Sequence, residues 1–156
     1  MHYPLGIIIK DDIGVEKQDA IWSAERILED YYNIAYDWYN AEPDIVRFYN
    51  ASQNDFWDSV NLLITRQKEE VGYLQTRLQS IDKYIEEYES GEPEQSALDS
   101  YYLYKFGKFM NGSLQCDSYI YDGEKCSARI TKNDLESYRN PPEGEQYYLV
   151  VLDIHF

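Results

Sequence analysis

Residues 57–88 carry an apolar seam at Trp57, Val60, Ile64, Gln67, Val71, Leu74, Leu78, Ile81, Ile85 and Tyr88, with steps that alternate strictly between three and four. Only an α-helix puts such positions on one face. Ser52 followed by Asp55 resembles a capping box with Asp in place of Glu, so the helix is expected over 53–89. At 1.5 Å per residue it is about 55 Å long. Gly72 costs about 1 kcal/mol in a helix interior, and the flanking seam residues are expected to carry the helix through it. Gln67 is the single polar step on the seam.

So long an apolar face needs a cover. A second helical pattern runs from 15 or 16 to 39, with Ile21, Ala24, Leu28, Tyr31, Ala35 and Trp38 on one stripe and Ala20, Ile27 and Ile34 widening it. Pro43 breaks the chain in the connector that follows. The two helices are expected to pack as an antiparallel hairpin over 15–90. The first is roughly two-thirds the length of the second, so the far end of the seam needs a further cover, from a sheet or from a second copy of the chain. Leu78, Ile81, Ile85 and Tyr88 are the candidate coiled-coil interface of a homodimer.

The remaining segments read as strands. The β-branched run in "YPLGIIIK" predicts a first strand over 3–10. After the linker "SGEPEQS", residues 100–156 read as a β-meander. In it "YYLYKFGKF" is taken as an aromatic strand, although Ser96 and Asp99 also allow a helix start. Asn111-Gly112 and Asp122-Gly123 are taken as hairpin turns, and 131–138 as a helical turn. The almost wholly apolar "QYYLVVLDIHF" is expected in the centre of the sheet. The expected fold is one α+β domain, 1–156: a long helical hairpin packed on an antiparallel sheet of four or five strands.

The net charge of −15, from 29 acids and 14 bases, argues against direct binding to nucleic acid or to an anionic membrane and permits a basic partner. No apolar run has the length of a membrane span, and the first residues do not form a signal peptide, so a soluble cytoplasmic protein is expected. The acids are clustered. Residues 11–44 hold ten acids and two bases, a net of −8, and residues 82–94 hold six acids and one base, a net of −5. In the hairpin arrangement Asp11, Asp12, Glu16 and Asp19 meet Asp82, Glu86, Glu87, Glu89, Glu92 and Glu94, and these ten are the candidate partner-binding residues. Glu86, Glu87 and Glu89 sit at an expected helix C-terminus, where each negative charge is unfavourable by about 0.3–1 kcal/mol. The competing explanation is a solvated acidic face that maintains solubility.

Catalytic patterns are missing: no phosphate-binding glycine loop, no CxxC, no HExxH and no nucleophile elbow. Cys116 and Cys126 form neither a disulfide framework nor a zinc site. The two histidines, His2 and His155, approach one another if the first and last strands pair antiparallel, and Asp153 shares a strand face with His155. A metal-dependent enzyme built on them is the weakest of three functional expectations. No catalytic residue, metal or cofactor is assigned. The first expectation is a non-enzymatic inhibitor or immunity-type protein that occupies a basic, nucleic-acid-binding site on another protein by mimicking nucleic acid. The second is an assembly protein that dimerises through the seam.

Overall fold

A computed structural model of the chain describes residues 2–30, 36–78, 96–115 and 118–155. In chain order the elements are β1 (His2–Asp12), α1 (Lys17–Glu29), β2 (Trp38–Asn40), β3 (Arg47–Asn50), α2 (Asn54–Leu78), α3 (Ser96–Met110), β4 (Ile120–Asp122), α4 (Lys132–Arg139) and β5 (Glu145–His155). The architecture is α+β, with one mixed sheet of five strands. β5 pairs antiparallel with β1 along its whole length, from His2 opposite His155 to Asp12 opposite Glu145. The other side of β5 takes β2 and β3. β4 joins the free side of β1 in parallel, so the sheet is not wholly antiparallel as expected. β5 is interior and buried on both faces, which is why its sequence shows no alternation.

Residues opposite one another in a ladder point to the same face. Leu5, Ile7 and Ile9 of β1 and Tyr148, Val150, Leu152 and Ile154 of β5 pack with Ala20, Ile21, Ala24 and Leu28 of α1. Ile8, Leu149, Val151 and Ile120 pack with Phe56, Val60 and Leu63 of α2 and Tyr138 of α4. α1 and α2 therefore lie on opposite faces, and the expected hairpin between them is not formed among the described residues. The reason is the sheet. A face lined by Leu5, Ile7 and Ile9 gains about 1.5–3 kcal/mol per side chain buried, and α1 covers that face only if it leaves α2. Gly6 lets α2 sit close to the sheet: a Cβ there would lie 2.4 Å from Leu63 Cδ1.

The first helix ends at Glu29 rather than at 39. Tyr36 donates its hydroxyl to the Leu28 carbonyl near that end, and Trp38 and Tyr39 are strand residues paired with His155 and Ile154. α2 begins at Asn54 and passes through Gly72 without a break to Leu78. The residue before its first turn is Gln53 rather than Ser52, and the Ser52 hydroxyl donates to Asn50 instead of taking part in a capping box. Along α2, Val60, Leu63, Gln67 and Leu74 are buried. The sheet covers the first part of the helix. α3 packs beside the second, where Lys105 and Glu70 pair at 3.6 Å and Tyr73 meets Tyr102 edge-on. The side chain of Leu78 and the whole of Ile81, Ile85 and Tyr88 lie outside the described residues, so the proposed oligomer interface does too.

The segment expected as an aromatic strand is the helix α3. Its inward positions, Tyr102, Lys105, Phe106 and Phe109, repeat at the helical interval. Asn111-Gly112 is its terminus, not a hairpin: the Ser113 N–H reaches the Lys108 carbonyl and the Gly112 N–H the Phe109 carbonyl, both at 3.0 Å. Gly112 has φ of 71°, the left-handed geometry that ends a helix in this double bond. A short turn does form at Asp122, which exchanges both backbone hydrogen bonds with Ser127. α4 follows a true capping box between Thr131 and Asp134. No helix among the described residues is long and apolar enough to cross a membrane.

Candidate functional site

Nine of the ten acids of residues 11–44 lie on or beside α1, the tenth being Asp37, which stands by His155. Tyr148, rising from β5 beneath that helix, accepts the N–H of Gly14 at 3.0 Å and donates to the Asp12 carbonyl at 2.7 Å, which holds the turn between β1 and α1 on the sheet. Lys17 donates to the Pro43 carbonyl at 2.5 Å and ties the first turn of α1 to the loop after β2. Asp12, Glu16, Asp19, Glu29, Asp30, Glu42 and Asp44 are exposed, with Asp11 and Glu25 half-buried. Among the described residues none of these nine is in an ion pair. Lys17, one of the segment's two bases, is spent on a carbonyl. Trp22, 57% exposed on the outer side of α1, and Ile13, 68% exposed, stand among them.

Of the ten acids expected at a binding surface, the structure brings together Asp11, Asp12, Glu16 and Asp19. Asp82, Glu86, Glu87, Glu89, Glu92 and Glu94 lie outside the described residues, and the hairpin that was to join the two groups is not present among the described ones. Glu25, Glu29, Asp30, Glu42 and Asp44 were counted in the charge of the segment but not assigned to the surface. Their signal was the net charge alone, and only the placement of α1 against the loop at 41–44 puts them on one side.

A second cluster occupies the far end of the sheet. His2 and His155 stand opposite one another with ring centroids 5.1 Å apart, as strand pairing suggested. His2 Nδ1 lies 3.0 Å from Asp153 Oδ2. Trp38 stacks on His155 at 5.2 Å and 6° between planes. His155 Nδ1 is 3.3 Å from Asp37 Oδ2, but out of line for a hydrogen bond, so among the described residues the nitrogen has no hydrogen-bonded partner. The cluster presents an imidazole oriented by a carboxylate beside an aromatic platform. Among the described residues no group of three or more His, Cys, Asp or Glu side chains could hold a metal ion.

Two buried acids are structural. Asp122, 1% exposed, accepts the Tyr138 hydroxyl on one oxygen and the N–H groups of Glu124 and Lys125 on the other. Asp134 accepts from Thr131 and pairs with Lys125. Together they fasten the turn after β4 to α4. Burial first, then the bond to Asp122, holds the ionisation of Tyr138 far above the usual tyrosine range.

Comparison of the chain with protein-family models, with curated protein sequences and with solved structures finds no match.

Proposed function

We propose that this chain is an acidic inhibitor or immunity-type protein that occupies a basic, nucleic-acid-binding site on another protein, without catalysis of its own. The observation that supports it is the set of nine carboxylates around α1 with no ion pair among the described residues. Unneutralised charge of one sign repels itself and weakens the compact state, and it raises the association rate with a surface of the opposite sign. Carboxylates can take the place of phosphates before arginine and lysine. Trp22, exposed in their midst, offers a ring over which a guanidinium can stack.

The test is capture of partners from the native host, followed by salt elution and competition with a DNA duplex. The expected partner is basic, elutes with rising salt and is displaced by the duplex. Replacing Glu29 and Asp30 by Lys weakens the capture without unfolding the protein. The proposal falls if the bound partner is indifferent both to salt and to the duplex. A homodimer through Leu78, Ile81, Ile85 and Tyr88 predicts a different outcome: twice the chain mass in light scattering, with little dependence on salt.

A further inference from the structure

Gln67 is the one polar step on the apolar seam of α2, and it is 8% exposed. Its Oε1 accepts the Tyr119 N–H at 2.7 Å, which joins α2 to the residue before β4. That bond accounts for the carbonyl end of the amide. Its Nε2 is buried and donates to nothing among the described residues. A buried donor without an acceptor costs about 1–3 kcal/mol, so Gln67 is held on this seam at a cost that the bond to Tyr119 offsets.

Gln67 forms part of the wall of a groove of about 390 Å³ between α2, the end of α3 and the 128–130 segment. The apolar wall is Ile64, Val71, Phe109, Met110, Ile120 and Ile130. Small-molecule sites are usually of about 300–1,000 Å³, mostly apolar, with a few polar groups that fix the ligand. Two cations, Lys68 and Arg129, border the groove. Both are exposed, and among the described residues neither is in an ion pair. In a chain of net charge −15, two unpaired cations beside an apolar groove select an anion with an apolar body. The groove lies on the α2 face of the sheet, apart from the acids around α1, and is independent of the function proposed above.

We propose that this groove binds a small amphipathic monocarboxylate. The hydrocarbon body lies among Ile64, Val71, Phe109 and Ile120. Lys68 and Arg129, at the border of the groove, supply the countercharge to the carboxylate.

The probe is decanoate, titrated into the full chain below its micellar concentration and followed by calorimetry and by the side-chain amide resonances of Gln67. The expected result is saturable binding of one molecule per chain, with those resonances displaced. The surface variant Lys68→Glu/Arg129→Glu, which leaves the fold intact, weakens binding about tenfold, the effect of losing two favourable exposed charge contacts. Decanol, with the same body and no charge, binds more weakly by a similar factor. Val71→Trp, which fills the groove, abolishes binding. The site is overturned if decanoate shows no saturable binding. It is equally overturned if the double variant or decanol matches the parent with decanoate, since the groove would then be an apolar patch without carboxylate recognition. The site is also overturned if the Gln67 resonances stay in place while decanoate binds, since the ligand would then lie outside the groove that Gln67 lines.

Discussion

Replacing Tyr138 by Phe removes one atom, the hydroxyl oxygen that lies 2.5 Å from Asp122 Oδ2. Both residues are 1% exposed. The ring of Tyr138 keeps its packing against Tyr147, whose centroid is 4.9 Å away. Asp122 keeps the two backbone N–H donors on its other oxygen, but Oδ2 loses its donor in a place water does not reach. A hydrogen bond to a charged group contributes about 1.5–3 kcal/mol, so the variant should lose about that much at neutral pH. The same hydroxyl sets the alkaline limb. The folded state holds Tyr138 un-ionised well above the ordinary tyrosine value, through burial first and Asp122 second. A group with a raised folded-state pKa contributes its full stability below the unfolded value, about 10 for tyrosine. That contribution falls as pH rises above it, by up to about 1.4 kcal/mol per pH unit for one proton. Tyr147 is raised as well, by burial, and Lys10 by its bond to Glu145, so both proteins lose stability through these groups and only the parent loses the further contribution of Tyr138. Urea unfolding followed by tryptophan fluorescence from neutral pH to pH about 11 should give a variant that starts lower and falls less steeply. Parent and variant agreeing within about 0.5 kcal/mol at neutral pH, with equal alkaline slopes, would refute the role given to this hydroxyl.

Glu29 and Asp30 close α1 at its negative end. Replacing both by Lys should raise stability by about 0.3–1 kcal/mol per residue while weakening a basic partner, a pair of opposite effects read by thermal melting and by titration. Gly6→Ala places a methyl group 2.4 Å from Leu63 Cδ1 and 2.9 Å from Leu149 Cδ1, and equilibrium unfolding should show a loss of about 1–3 kcal/mol. Gly112→Ala forces a side chain into φ of 71° and to 2.4 Å from Ser127 Oγ. It should cost more than about 1 kcal/mol, with hydrogen exchange rising first in α3.

Local chemistry written in one segment was readable without the fold. The three- and four-step seam made α2 a helix through Gly72, because the packing of its apolar face outweighs the propensity cost of one glycine. The unbroken apolar run at the C-terminus made β5 an interior strand, and its antiparallel pairing with β1 brought His2 to His155. The excess of acids over residues 11–44 was legible as a number. Choices between partners were not legible. Asn111-Gly112 suits both a hairpin turn and a left-handed helix end, since each needs positive φ. Only the packing of Tyr102, Lys105 and Phe109 beside α2 decides for the helix. Likewise the stripe on α1 states that the helix must be covered but not by what. The decision belongs to a sheet apolar on both faces, which draws α1 to one side and α2 to the other. Gln67 shows both kinds of determination. Its sequence position marked it as the polar exception on an apolar face, and only the arrival of β4 and α3 turned that exception into one wall of a groove.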